Sequence, residues 1–297
     1  MCDGPSRRTV GGTKDGIVRD ADGTNGTNTT GKDTEIGFRD VDHAANRAHL
    51  VEYLDAAIAH PSTEPYRHEV ISLLEPHLGE HILEVGCGTG EELRALLPLV
   101  GSAGRLVGID SSQTMVEEAR RRSQHTEIEF VVGDAHALEF QSASFDAARA
   151  ARTFQHLEDP RRALAELARV VRPGGRVVLA EPDWDTLVVD SPDQGLTRQL
   201  IHGHADSIRQ PWIGRQLPAL FEDVGLSAVQ VRPTPLVMRD YASAEWAFFH
   251  DATRRALEAG RSSQIEIEQW QERLRKADRA GRFFLSIIVF VVAGRRV

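Results

Sequence analysis

The stretch Ile82-Leu83-Glu84-Val85-Gly86-Cys87-Gly88-Thr89-Gly90 decides how the chain is read. A short apolar run ends in a glycine turn, and a helical pattern (Glu91, Glu92, Leu93, Leu96, Leu97) follows at once. The run is too short for a helix, and its glycine border favours a buried strand. Glycine is needed where the backbone takes a positive φ or where a ligand approaches the main chain. Gly86, Gly88 and Gly90, at alternate positions on a strand tip, therefore describe a loop that presses backbone against a ligand.

Two ligands commonly use such a loop, a dinucleotide or S-adenosylmethionine (SAM). The dinucleotide fingerprint is G-x-G-x-x-G, which sets a pyrophosphate on a helix N-terminus. Here the spacing is G-x-G-x-G, and Glu91 and Glu92 open the helix, where they would repel a pyrophosphate. The segment resembles the first motif of class I SAM-dependent methyltransferases. That resemblance implies that Glu84, two residues before the first glycine, lies near the methionine moiety of the cofactor.

Length and composition agree. A chain of 297 residues with 41% hydrophobic content can hold one large domain with insertions. No stretch approaches the roughly 20 apolar residues of a membrane span, and the polar N-terminus shows no secretory pattern. Net charge is −9, without basic runs interleaved with aromatics, so no nucleic-acid footprint is evident. Cys2 and Cys87 form neither a disulfide framework nor a metal quartet, which excludes the thiol-rich site of an arsenic methyltransferase. A reducing cytoplasm is the expected compartment, and a homodimer is compatible with this composition.

Residues 1–35 are rich in Gly, Thr, Asn and Asp and are expected to be a disordered tail. Residues 36–78 read as a helical cap: Leu50, Tyr53, Leu54, Ala57 and Ile58 recur at helical steps, as do Val70, Leu73 and Leu74. Pro61 and Pro65 divide it into two helices. In methyltransferases of this kind such helices cover the cofactor and shape the acceptor pocket, which makes Phe38, Tyr66 and Arg67 candidates for its lining.

From residue 79 to the end, strand and helix alternate as in a parallel sheet covered on both faces. The second strand, Arg105 to Asp110, ends in an acid 20 residues beyond Gly90, the spacing of a carboxylate that accepts from a ribose diol. Ser111 or Ser112 can cap the next helix, which carries Met115. After the third strand, Ile128 to Val132, comes Gly133-Asp134-Ala135-His136. The resemblance implies Asp134 near the adenine amino group and the Ala135 N–H near a ring nitrogen. By the same resemblance Ser111, Met115 and Ala151 complete the cofactor set.

The fourth strand opens at Phe145-Asp146 and leads into Arg152-Thr153-Phe154-Gln155-His156-Leu157. Ligands gather at the carboxyl ends of strands in open α/β sheets, so Arg152, Gln155 and His156 are the catalytic candidates. His156 leads as a base because an imidazole titrates near neutrality. No Asn/Asp-Pro-Pro-Tyr/Phe sequence stands here, which argues against adenine or glutamine amide N-methylation. Asp159-Pro160 starts a helix, and Arg172-Pro173-Gly174-Gly175 turns it into a fifth strand, Arg176 to Glu181, a passage characteristic of the family.

Asp183-Trp184-Asp185 follows at the same sheet edge, and Trp184, Trp212 and Tyr241 are candidates to hold a flat acceptor, with Asp183 favouring an amine or indole. His202 and His204 point about 200° apart on a helix, so no metal is expected. Helical insertions are expected at about 184–212 and 241–281, the second as a lid before a last strand, Phe283 to Ala293. The fold expected is α/β and Rossmann-like, a seven-stranded mostly parallel sheet. By resemblance its order is three-two-one-four-five-seven-six, with the seventh strand antiparallel. The function implied is SAM-dependent methylation of a small, secondary-metabolite acceptor at O, N or C, with S-adenosylhomocysteine as product. Alternatives are a SAM-binding cyclase- or decarboxylase-like enzyme and a SAM-binding regulator. A dehydrogenase, the remaining rival, would bind NAD instead.

Overall fold

Seven strands form one sheet in the order β3-β2-β1-β4-β5-β7-β6. They are β1 (His81–Val85), β2 (Arg105–Asp110), β3 (Glu129–Val132), β4 (Phe145–Ala151), β5 (Val171–Val189), β6 (Leu226–Met238) and β7 (Leu285–Arg296). β7 runs antiparallel to both its neighbours, and the pairs from β3 to β5 are parallel. The computed structural model describes residue 38, residues 40–44 and residues 47–297. The tail expected over 1–35 lies outside the described residues.

Ten helical segments are used below: α1 (Arg47–Ala59), α2 (Glu64–Leu74), α3 (Glu91–Val100), α4 (Gln113–Arg122), α5 (Pro160–Val170), α6 (Gln194–Ala205), α7 (Ile213–Asp223), α8 (Tyr241–Ala244), α9 (His250–Glu258) and α10 (Gln264–Arg279). A π-turn, Glu245–Phe249, joins α8 to α9. None of the described helices is long and apolar enough to cross a membrane.

Period-two alternation puts an apolar core on each face of the sheet. Ile82, Leu106, Ala147 and Val178 face α2, α3 and the late helices. Leu83, Val107, Ala148 and Leu179 face α5 and α7. Tyr66, Val70 and Leu74 of α2 share the cluster of Ile82, whereas Leu50 of α1 packs with Val41 and Met115 in a small cluster of its own. At the far end from the glycine loop, Arg176 clamps this packing, donating to both carboxylate oxygens of Glu80 (2.7 and 2.6 Å) and to the carbonyl of Leu74 (2.9 Å).

Local chemistry starts each site element where the loop needs it. Ser112 caps α4 by accepting from the Met115 amide (3.1 Å), and Asp159 caps α5 by accepting from Arg162, with Pro160 at the first helical position. Two boundaries differ from expectation. β5 does not stop at Glu181; it continues to Val189, where Val188 and Val189 pair with Ser286 and Leu285. The first helical insertion therefore begins at α6, Gln194, ten residues later than residue 184. The last strand is shifted as well, to Leu285–Arg296, because it pairs with the full length of β6.

Candidate cofactor and acceptor site

The tips of β1, β2 and β4 open on a cavity of about 420 Å³. Its floor is the glycine loop. Gly86, Gly88 and Gly90 all have positive φ (70°, 50° and 76°). At Gly86 a Cβ would stand 2.1 Å from Thr153 Oγ1, so this glycine admits the loop after β4 as much as any ligand. Gly90 lies under Phe130 and does not line the cavity.

Asp110 closes the loop. Its Oδ2 accepts from the Gly88 amide (2.9 Å) and its Oδ1 from the Ser112 amide (3.0 Å). Burial pushes the carboxyl above its ordinary range against the pull of those two amides. Each oxygen retains a lone pair that a ribose hydroxyl can use. Ser111, Met115 and Ala135 line the same cavity, as do Asp134 and Ala151. Asp134 accepts from the His136 amide (2.9 Å), which holds its carboxyl below the usual range, and its Oδ1 also meets His136 Nδ1 (2.6 Å).

Glu84 is the most informative side chain. It is buried, and its register partner across the β1–β4 pair is Arg149. Arg149 Nε stands 3.1 Å from Glu84 Oε1, and its Nη1 lies 3.3 Å from Glu92 Oε2. Glu92 in turn accepts from Arg67 Nε (2.5 Å). Burial pushes the Glu84 carboxyl up to about 7, against the pull of Arg149. Its second oxygen, Oε2, is buried without a hydrogen-bond partner. An orphaned buried acceptor at a cavity wall costs about 1–3 kcal/mol, and a ligand ammonium would relieve that cost. The Arg149–Glu92–Arg67 chain behind Glu84, buried at Arg149 and half-buried at the other two, was not anticipated. A charge inside the run Ala147-Ala148-Arg149-Ala150-Ala151 is the signal that marks it.

Over the cavity the chain lays its N-terminal segment. Phe38 and Val41 line it, and Asp42 docks the segment onto the start of α4. The Asp42 carboxylate accepts from Ser112 Oγ (2.8 Å), Gln113 N (2.8 Å) and Thr114 N (3.0 Å). Burial opposes its charge, yet the hydrogen bonds from Thr114, Ser112 and Gln113 hold its carboxyl down at about 2.

The loop after β4 is set by Glu181, inside β5. Glu181 accepts from the amides of Thr153 (2.8 Å), Phe154 (2.8 Å) and Gln155 (3.3 Å). Burial pushes its carboxyl up to about 7 against those three bonds. His156 and Arg152 line the cavity, and the His156 ring lies 6.0 Å from that of Phe38. Tyr66 also lines it, with burial pushing its phenol up.

Gln155 is engaged where it stands, and Asp183, Trp212 and Tyr241 lie outside the cavity. Gln155 touches the cavity, but its side chain is engaged at both ends: Nε2 donates to the Arg152 carbonyl (3.1 Å) and Oε1 accepts from Trp184 Nε1 (2.7 Å). It positions the loop and is not free to act on a substrate. Asp183 is buried under Arg215, which donates to both its oxygens, so it does not offer an amine a charge. Trp212 is exposed, with Arg215 over its ring. Tyr241 is buried against Phe249 and Phe283 and donates to Glu245 (3.0 Å). None of these last three lines the cavity. Trp184 lines a second, smaller recess beside it, with Tyr53 and Trp246.

The sheet order, the glycine loop and the acidic tips of β1 and β2 together define a SAM-binding transferase domain. A family model described as "Methyltransferase domain" matches residues 83–179. A protein of Streptomyces fradiae, described as an uncharacterized 37.1 kDa protein in a transposon, is 39% identical over 248 residues, 82% of this chain and 71% of that one. The O-methyltransferase cnsE of Penicillium expansum is 41% identical over 128 residues, 42% of this chain and 46% of that protein, so the chain matches about half the length of this fungal relative. Among solved structures, the complex between the Haloferax volcanii Trm112 methyltransferase activator and a methyltransferase superposes with a TM-score of 0.58 at 21% identity, covering 84% of this chain and 95% of that one. The chain belongs to the class I SAM-dependent methyltransferases. Its cofactor is SAM, and the cavity fits it: Glu84 Oε2 awaits a donor and the Asp110 oxygens can accept two hydroxyls.

Proposed function

We propose that this methyltransferase acts on a small organic acceptor, of the kind secondary metabolism supplies, bound beside the tip of β4. One observation carries that reading. Trp246, from the late helices, stacks on Tyr53 of α1 (4.6 Å between centroids, 26° between planes) and roofs the strand tip. The stack covers a largely apolar recess beside the main cavity, the kind of lining a small-molecule site uses, where a polypeptide or duplex would need an open groove. The O-methyltransferase name of the fungal relative points the same way.

When bound, the cofactor supplies an electrophilic methyl group, whose transfer leaves a neutral thioether. The chain's own residues do the rest. In this reading Glu84 receives an ammonium and Asp110 a diol, while Ala135 and Met115 line the same cavity. The roof excludes water and orients the acceptor. His156, at the cavity wall, is our candidate base where the acceptor must lose a proton. A reducing, cytoplasmic setting belongs to the same reading, since the buried Cys87 is a free thiol.

Mass spectrometry tests this. The protein is incubated with methyl-deuterated SAM and a panel of phenols, indoles, amines and carboxylates. Heavy label in one panel member supports small-molecule transfer, and fragmentation names the atom. SAM bound with no label passing to the panel or to a cell extract would favour the cyclase-like or regulatory alternatives.

A further inference from the structure

Beside the main cavity, a recess of about 40 Å³ lies under the Tyr53–Trp246 roof. Its walls are mostly flat and apolar, with Tyr53, Trp184, Trp246 and Phe248 among them. Arg152 lines both this recess and the main cavity. Its guanidinium stands against Tyr53, with Nη2 3.5 Å from the hydroxyl and Cζ 6.0 Å from the ring centroid. The other basic group on the wall, His60, has its ring nitrogens paired with Ser62 Oγ (2.7 Å) and Ser243 Oγ (3.0 Å). Among the described residues lining the recess, Arg152 carries the permanent charge.

Two features show that this wall is built. Arg152 has a positive φ (56°), a conformation that costs a non-glycine residue about 1 kcal/mol or more. It is held there by bonds on both sides: its amide donates to the Ala180 carbonyl (2.8 Å), its carbonyl accepts from Gln155 Nε2, and Glu181 grips the next three amides. Strain persists where the surroundings over-determine it. The π-turn Glu245–Phe249 is the second feature. It brings three consecutive residues, Trp246, Ala247 and Phe248, to the recess, and single π-turns inside helices occur often at functional sites.

We infer that this recess is the acceptor subsite, and that it takes a flat apolar ring whose acidic oxygen, phenolate or carboxylate, pairs with Arg152. The inference rests on the methyltransferase reading and deepens it by naming the acceptor's chemistry. At 40 Å³ the recess is smaller than an aromatic ring, so a ring enters as the Trp246 indole moves off Tyr53. A cationic amine is disfavoured there by like charge, which replaces the amine suggested by Asp183.

The test uses the full chain saturated with S-adenosylhomocysteine, titrated with 2-naphthoate, 2-naphthol and neutral naphthalene, and followed by calorimetry and tryptophan fluorescence. We expect the naphthoate or naphthol to bind at least tenfold tighter than naphthalene, with a fluorescence change from Trp246 and Trp184. Arg152→Gln, assayed at saturating S-adenosylhomocysteine, should erase that preference, and Arg152→Lys should restore part of it. The larger Arg152-dependent preference, naphthol or naphthoate, names the oxygen acid. Trp246→Ala should reduce the fluorescence change to the Trp184 part and shift all three ligands alike. Equal affinity for naphthoate, naphthol and naphthalene in the unmodified protein would overturn the inference with the cofactor assignment intact, and needs no variant to fold. Absence of S-adenosylhomocysteine binding would overturn both together.

Discussion

The two halves of the site are built in opposite ways. The cofactor half is made of strand tips and the turns that follow them, each within a few residues of a local signal: Glu84 near the end of β1 and the glycines after it, Asp110 at the end of β2, Asp134 after β3. The acceptor half is gathered from distant segments. Tyr53 of α1, Arg152 after β4, Trp184 inside β5 and Trp246 of the π-turn line one recess, though almost 200 residues separate the first from the last. In the first half main-chain amides do most of the holding, as at Asp110, so the geometry follows from the sheet. In the second, side chains hold side chains: Gln155 grips Trp184, Trp246 stacks on Tyr53, and Ser243 meets His60. A site of the first kind is the same wherever the sheet forms, whereas one of the second kind changes with each substitution in its walls.

The sharpest break of that comparison is at Gly86, where the halves touch. Gly86→Ala adds a Cβ 2.1 Å from Thr153 Oγ1 at a φ of 70°, and should cost roughly 3 kcal/mol of stability in a denaturant titration. Gly174→Ala is the control, since its φ is similar (78°) but nothing lies within 4 Å of the added atom; it should cost about 1 kcal/mol. Equal losses would mean that the loop after β4 does not depend on this contact.

Next in size, Asp110→Ala should weaken SAM binding by about 1.5–3 kcal/mol in calorimetry, the usual cost of losing hydrogen bonds to a charged group. It also leaves the Gly88 and Ser112 amides without their acceptor. Unchanged affinity would remove the ribose assignment.

The pH dependence of binding sharpens the electrostatic side. Glu84 has its carboxyl pushed up to about 7 from an ordinary 4.5. An acid raised in this way contributes stability fully below pH 4.5 and loses it as pH rises through about 7; Glu181 acts in the same direction. An ammonium, by contrast, needs the ionised form. SAM affinity should therefore climb as pH rises from 5 to 7, by up to about tenfold per unit, while the unliganded protein melts at lower temperature. Glu84→Gln should flatten the affinity profile, and a wild-type profile that is already flat would exclude Glu84 as the ammonium partner.

The smallest effects separate the two tryptophans. Trp184→Phe removes the donor to Gln155 Oε1 and should cost about 1 kcal/mol, with acceptor turnover reduced. Trp212→Ala, on an exposed indole outside both cavities, should change stability by less than about 0.5 kcal/mol and leave methylation alone. A turnover defect in Trp212→Ala would return that residue to the acceptor site.

The sequence by itself determined the sheet and the cofactor half. The strands, the glycine loop and the Asp110 spacing are legible from residues adjacent in the chain and from the fixed periods of strand and helix, whereas the strand order and the assignments of Glu84 and Asp134 come from the resemblance to class I methyltransferases. Arg149 was legible too, as a charge inside an apolar strand, but its meaning needed the β1–β4 register that sets it beside Glu84. Only the tertiary structure decided the acceptor half. Asp183 follows a strand in sequence, and Trp212 and Tyr241 are aromatic candidates to close the same pocket, yet Arg215 pairs with Asp183, Trp212 faces solvent, and Tyr241 packs on Phe249 and Phe283. The π-turn is the plainest case. Its wider turn departs from 3.6 residues per turn, so a count at that period cannot tell that Trp246 and Phe248 line the recess while Phe249, in the same turn, packs on Trp270 and Phe283.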